Sequence, residues 1–293
     1  MPTTRPVHED AELAERLEKL HTRLAALDSL VVAFSGGADS TLVVAAAVRA
    51  LGPDRVIAAT GDSASLAERE RDAVHAVAHG LGARHAFVAT HELREPGYRR
   101  NEQSRCWFCK TELLNRLRDF AAEQGMRHIA TGTNADDLLD PFRHGIKAAA
   151  ALGALTPLAD AGLTKAQVRA VGNEWGLATW NKPASPCLSS RVAYGLTISP
   201  GRLARVDRAE EALRGALQDN GITSDDLRVR DLGDRALVQV DPSAVPAVLA
   251  CDRVLDAVRR TGFERAEVDP LGFRSGSLNT MDGTQDREDH GGH

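Results

Sequence analysis

The sequence predicts an α/β protein, a doubly wound parallel sheet followed by a smaller α+β domain. Three observations carry this expectation. Short apolar runs alternate with segments of helical period from residue 30 to residue 132. One such run, Leu30-Val31-Val32-Ala33-Phe34, opens directly into Ser35-Gly36-Gly37-Ala38-Asp39-Ser40 and a helix. Beyond residue 200 the order changes to helix, two strands, helix, strand.

Each element has its own signal. Leu13, Leu17, Leu20 and Leu24 recur at helical spacing within residues 10–27, with charges between them, which makes an amphipathic first helix. Residues 30–34 form a continuous apolar run, as in a strand buried on both faces. A helix over 41–51 stops at Gly52-Pro53. Then come a strand 56–60, a helix 67–81, a strand 85–89, a helix 110–125 and a strand 128–132. Residues 162–175 give one more helix, with Thr164 as its cap. The proline-rich stretch from Asn181 to Arg191 breaks the alternation, so the domain boundary is expected near Ser199-Pro200-Gly201: a first domain 1–199, a small α+β domain 200–275 and a polar, glycine-rich, disordered tail 276–293. In the small domain the expected order is helix 203–217, strands 227–230 and 236–240, helix 245–259 and strand 265–268. His290 and His293 lie in the tail, where a solvated terminus is the expectation rather than a metal site.

Bulk properties narrow the function. A 293-residue chain with 43% hydrophobic residues has enough apolar material for real cores. The apolar run 42–48 is far too short to cross a bilayer and the N-terminus is charged, so the cytoplasm is the expected compartment, with no membrane partner. A net charge of −5 gives no footing for long nucleic acid and favours a small substrate. Four cysteines in such a chain are no disulfide framework, and Cys106-Trp107-Phe108-Cys109 reads as metal or catalytic chemistry.

The glycine turn after the first strand brings backbone N–H groups and a helix N-terminus to one spot, which attracts phosphate. No lysine stands where a Walker A loop requires one. A second turn, Gly132-Thr133-Asn134-Ala135-Asp136-Asp137, follows the strand expected to lie beside the first, so both turns should face one crevice. Asp39 is the candidate for Mg²⁺, and Asp136 a second candidate for Mg²⁺ or ribose.

The Ser35 to Ser40 motif resembles the PP-loop of the ATP pyrophosphatases, whose fold is adenine nucleotide alpha hydrolase-like and which split ATP into AMP and pyrophosphate to adenylate a substrate oxygen. That resemblance implies that Ser35, Gly36, Gly37 and Ser40 cradle the phosphates, with Gly132 and Thr133 close by. The combination of S-G-G-A-D-S, R-C-W-F-C-K, G-T-N-A-D-D, P-C-L-S-S-R and G-F-R-S-G-S-L-N, in order over residues 10–280, resembles the LarE family, sulfur transferases of nickel-pincer cofactor biosynthesis. It implies a small mononucleotide substrate, pyridinium-3,5-biscarboxylic acid mononucleotide, adenylated on one carboxylate and converted to a thiocarboxylate. ATP and Mg²⁺ are the implied cofactors.

The family supplies sulfur in two ways. Some members sacrifice the sulfur of one cysteine, matching Cys187, and end as dehydroalanine; others hold a [4Fe-4S] cluster on three cysteines. The presence of Cys106, Cys109 and Cys187 implies the cluster type, whereas Cys251 reads as a buried structural thiol. A zinc site on the same thiols would need a fourth ligand, for which His144 is the nearby histidine. By resemblance, Trp107, Ser190, Arg191 and Glu210 (or its neighbour Glu211) are functional, and Arg228, Arg230 and Arg274 contact the substrate phosphate. The period of two in Leu227-Arg228-Val229-Arg230 puts both guanidiniums on one face, as a solvated face or a rigid anion clamp. A homo-oligomer is expected, and the sulfide donor is open. A tRNA thiolase and a non-catalytic zinc or nucleotide module are the other readings, the first lacking a basic face.

Overall fold

The computed structural model describes residues 11–139, 144–183 and 186–274, and the chain forms two compact units, Met1–Tyr98 with Ser104–Ser185 and Arg99–Gln103 with Pro186–His293. The expected tail, with His290 and His293, and residues 275–279 of the last motif lie outside the described residues.

The first unit runs α1 (Ala11–Ala25), β1 (Leu30–Ala33), α2 (Ala38–Leu51), β2 (Val56–Asp62), α3 (Glu68–Gly80), β3 (Arg84–Ala89), α4 (Pro96–Arg99, whose last residue belongs to the second unit), α5 (Arg105–Glu123), β4 (His128–Thr131), α6 (His144–Ala151), α7 (Pro157–Asp160) and α8 (Lys165–Glu174). Its four strands are parallel in the order β3-β2-β1-β4, with Leu30 in register with both Val56 and His128. The expected α/β fold with a parallel sheet is therefore present. Because strand side chains alternate, Leu30, Val32, Val56 and Ala58 face a core built with α1, α2 and α8, while Val31, Ile57 and Ala59 face a second core with Leu114, Leu117 and Ala121 of α5. Burial on both faces explains the unbroken apolar run at residues 30–34.

Several boundaries differ from the sequence expectation. Helix α2 begins at Ala38 rather than Thr41, so Asp39 and Ser40 sit in its first turn. Helix α5 begins at Arg105 rather than Lys110, so the cysteine pair is helical rather than on a loop ahead of the helix. Trp107 and Phe108 lower helix propensity there, and tertiary contact overrides it: the Phe108 ring packs so closely on Gly97 that a Cβ would lie 2.2 Å from it. The helix expected over 245–259 is two, α10 (Val245–Leu249) and α11 (Asp252–Arg259), with Cys251 at the break and only partly buried against the core.

The second unit contains α9 (Pro200–Asp219), β5 (Leu227–Asp231), β6 (Arg235–Val240), α10, α11 and β7 (Arg265–Val268). Its sheet has the order β5-β6-β7, antiparallel between β5 and β6 and parallel between β6 and β7. Leu213, Leu217, Val229, Val238, Val254, Val258 and Phe263 form its core. The division falls at Ser185/Pro186, ahead of the Ser199-Pro200-Gly201 stretch, because residues 186–198 are tied to this unit. Ala193 N donates to Asp231 O at 2.9 Å, and Ile198 N to Arg99 O at 2.9 Å. Buried Asn101, held at φ 58°, donates from Nδ2 to Ala193 O at 2.7 Å and draws residues 99–103 in as well. No helix among the described residues is long and apolar enough to cross a membrane.

Candidate functional site

In the first unit, β1 and β4 are the neighbours between which the strand order reverses direction, so the turns leaving them open side by side. The first turn is shaped by Gly36, at φ 65°, where a Cβ would meet Val74 at 2.8 Å. Hydroxyls hold the loop: Ser40 Oγ donates to Gly37 O at 3.2 Å and lies 3.2 Å from Ser35 Oγ, while Gly37 N donates to Ser35 Oγ at 3.4 Å. The second turn approaches closely enough that a Cβ on Gly132 would lie 2.7 Å from Ser40 N. Only glycine permits that approach, so the two turns make one backbone-lined cradle at the N-terminus of α2, where first-turn N–H groups and the helix dipole favour an anion. That cradle suits phosphate groups.

Asp39 projects from the first turn of α2. Its Oδ1 accepts from Asn134 Nδ2 at 3.1 Å, and its Oδ2 is 2.5 Å from Lys165 Nζ. Asn134 is fixed in turn by reciprocal bonds with Asp137, each backbone N–H donating to the other's side-chain oxygen at 3.1 Å. Asp136 Oδ2 accepts from the Lys165 backbone N–H at 2.8 Å, and Thr133 Oγ1 pairs with Thr131 Oγ1 at 2.9 Å. The cap expected of Thr164 is present, as a capping box with Gln167, and it places Lys165 as the first residue of α8. Two carboxylates beside a phosphate cradle fit Mg²⁺, which prefers one or two carboxylates together with phosphate oxygens.

Lys165 and Asn134 escaped selection from the sequence. A lysine at the start of a helix, where the dipole disfavours a cation, is the signal that marks Lys165. Asn134 lay inside a motif recognised for its glycine and carboxylates.

Cys106 and Cys109 lie one helical turn apart at the start of α5, so both thiols lie on one side of the helix, and neither is in a disulfide. Trp107 between them is part-exposed at 36%. The pKa of Lys110 is pushed down by burial, an effect that the Cys109 thiol opposes. In the second unit Cys187 is exposed at the head of a 3-10 turn, Leu188–Arg191, again outside any disulfide. Three thiols with no competing bridge fit an iron–sulfur donor set by chemistry. Among the described residues no group of three or more His, Cys, Asp or Glu side chains forms a metal site.

The turn after Cys187 is held by buried charge. Arg191, 3% exposed, pairs with Glu210, 6% exposed, through Nε at 2.9 Å and Nη2 at 3.3 Å. Arg191 Nη1 also donates to the carbonyls of Pro186 and of Cys187, the latter at 3.2 Å, and Ser190 Oγ donates to Cys187 O at 2.7 Å. Glu210 Oε1 further accepts from Val229 N at 3.2 Å, whereas Glu211 is exposed and pairs along its helix with Arg214.

Arg228 and Arg230 share one face of β5 as the period of two requires, but they are buried rather than solvated. Arg230 Nε donates to Gln239 Oε1 at 2.8 Å and its Nη1 to Ser190 O at 2.9 Å, and Gln239 Nε2 donates to Asp269 Oδ2 at 2.8 Å. Arg274 reaches the same Asp269 oxygen at 3.4 Å, and the Arg228 guanidinium lies 5.0 Å from the centre of the Phe273 ring. Strand β5 thus presents a buried row of cations joined to the Cys187 turn through Ser190.

Residues 11–134 match the family described as NAD synthase, the stretch that contains the cradle and Asn134. The chain is 37% identical over 272 residues to an uncharacterized protein of Synechocystis sp., covering 92% of this chain and 98% of that protein. It is 34% identical over 270 residues to the pyridinium-3,5-bisthiocarboxylic acid mononucleotide synthase of Lactiplantibacillus plantarum, covering 92% of this chain and 95% of the synthase. With that likeness running through both units, the cradle at Ser35–Ser40 is a PP-loop and the chain belongs to the LarE family.

Proposed function

We propose that the chain is an ATP-dependent sulfur transferase that adenylates one carboxylate of pyridinium-3,5-biscarboxylic acid mononucleotide and converts it to a thiocarboxylate. The observation that carries this is its 34% identity, over 92% of its length, to a protein named as the synthase of the bisthiocarboxylic product. A carboxylate acylates poorly because oxide is a bad leaving group. Attack of a carboxylate oxygen on the α-phosphorus of ATP releases pyrophosphate and leaves an acyl adenylate, from which AMP departs when sulfide attacks the acyl carbon. Atoms balance with one sulfide in and AMP out.

The chain's own groups divide this work. Ser35, Gly36, Gly37 and Ser40 hold the phosphates, with Gly132 and Thr133 closing the cradle, while Asp39 and Asp136 would hold Mg²⁺, which would offset phosphate charge. Arg228, Arg230 and Arg274 supply cations for the phosphate of the mononucleotide. Arg191, Ser190 and Glu210 fix the carbonyl and backbone of Cys187, and so aim its thiol. Trp107 offers an aromatic face beside the thiols of Cys106 and Cys109. A [4Fe-4S] cluster bound to Cys106, Cys109 and Cys187 would supply exchangeable sulfide to the activated carboxylate.

Anaerobic reaction with ATP, Mg²⁺ and the mononucleotide, followed by mass spectrometry, tests the proposal. The expected products are AMP, pyrophosphate and a nucleotide in which sulfur replaces one oxygen, over repeated turnovers. Turnover that stops after one event and leaves Cys187 without the elements of H₂S would replace the cluster by a sacrificial cysteine. ATP cleavage indifferent to the mononucleotide would sink the substrate assignment.

A further inference from the structure

Two histidines of the first unit meet where α3 packs on β3, the edge strand of the parallel sheet. His75 Nδ1 lies 3.3 Å from His85 Nδ1. The His85 ring is fixed through its other nitrogen: Nε2 donates to Thr60 Oγ1 at 2.9 Å, because the Thr60 hydroxyl hydrogen is already given to Phe34 O at 2.9 Å. The Nδ1 of His85 therefore carries a lone pair, and it faces His75. Edge contacts with Phe34 and Phe87, at ring-centre distances of 6.1 and 4.7 Å, hold the ring further. Metal-binding imidazoles are prepared in this way, the second nitrogen donating to a fixed oxygen that sets tautomer and orientation.

The separation of the two nitrogens is also that of a chelate. Nitrogens bound at about 2.0–2.1 Å to one tetrahedral ion stand about 3.3–3.4 Å apart. We propose that His75 and His85 form a two-imidazole site for a borderline divalent cation, Zn²⁺ or Cu²⁺, with water in the remaining positions. Imidazole suits both ions. Binding needs only a change of tautomer: the proton that His75 Nδ1 donates to His85 passes through water to Nε2 of the same exposed ring, so both Nδ1 lone pairs reach the ion and no net proton is released. No third His, Cys, Asp or Glu joins the pair among the described residues, so the site is open and exchangeable. Arg71, one helical turn before His75, is paired with Asp62 and Glu68 and presents little net charge to the ion. Bound metal staples α3 to β3, and α3 backs the phosphate cradle through Val74, the residue that crowds Gly36.

The site uses neither the thiols nor the carboxylates of the cradle, so it stands or falls apart from the sulfur chemistry. Its test uses the full chain, purified without oxygen and held at about pH 8, where ordinary histidines are neutral. Zn²⁺ is titrated by calorimetry and Co²⁺ by visible absorption into wild type, His75→Ala, His85→Ala and Thr60→Val. One saturable site is expected in wild type, with a Co²⁺ spectrum free of a thiolate charge-transfer band, lost in each histidine variant and weakened about ten- to a hundredfold in Thr60→Val. His75 is exposed, so His75→Ala keeps the fold and a metal-free Tm close to wild type, while the rise in Tm that excess Zn²⁺ gives wild type is reduced. Metal uptake unchanged in both histidine variants, or a zinc-dependent rise in Tm undiminished in His75→Ala, would overturn the site. Uptake that shows only a thiolate band would overturn it too, by placing the ion on cysteine.

Discussion

Glycine and charge set the strongest constraints on single residues. Gly132 is required by the 2.7 Å approach of its would-be Cβ to Ser40 N, a backbone atom that cannot swing aside. Gly132→Ala is therefore expected to cost about 1–3 kcal/mol and to abolish detectable ATP binding, whereas Gly80→Ala, with open space around it in α3, should be neutral or stabilising by up to about 1 kcal/mol. Urea unfolding together with nucleotide titration separates the two. The neighbours Glu210 and Glu211 differ as sharply. Breaking the buried Arg191–Glu210 pair leaves an uncompensated guanidinium, so Glu210→Ala should lose about 3–5 kcal/mol, while Glu211→Ala should stay within about 0.5 kcal/mol. Equal losses from the two would show that Arg191 finds another partner.

Between elements, β2 and β3 meet at a titrating contact. His85 Nε2 lies 2.9 Å from Thr60 Oγ1, and Thr60 already donates its hydroxyl hydrogen to Phe34 O at 2.9 Å. His85 Nε2 must therefore be the donor, which leaves its Nδ1 as an acceptor facing His75 Nδ1 of α3 at 3.3 Å. Burial, and then the neighbouring His75, hold the His85 pKa below the ordinary histidine value. A lowered folded-state pKa means that the unfolded chain binds the proton more tightly. The stabilisation is thus complete above the ordinary value of about 6.5 and is lost as pH falls through the lowered one. Thermal melts from pH 8 to pH 5 should show Tm falling towards acid, with a shallower fall in His75→Gln; identical slopes would remove His75 as a cause. The element boundaries teach a related lesson. Strands β1 and β2 were legible because burial on both faces leaves apolar runs, whereas the first turn of α5 was not, since Trp107 and Phe108 carry no helical pattern and Gly97 and Phe108 decide it by contact.

The whole molecule is tested by what it binds. Purified without oxygen, the chain is expected to be brown and to hold about four irons and four sulfides, as a single cubane cluster requires. Cys106→Ser, Cys109→Ser and Cys187→Ser should each lose that iron, with Cys251→Ser unaffected; iron retained in Cys187→Ser would exclude it as a ligand, and zinc in place of iron would sink the cluster.

The parallel α/β unit, the glycine turn after β1, the family and the cysteines are legible in the chain alone, because local spacing and residue type encode periodicity, glycine turns and thiol chemistry directly. It takes the folded chain to show that Lys165 meets Asp39, that Arg228 and Arg230 are buried, that Glu210 rather than Glu211 meets Arg191, and that residues 99–103 join the second unit. Each of these is a contact between residues far apart in the chain or a choice between adjacent ones, and neither propensity nor periodicity specifies it: packing and the pairing of buried charge do.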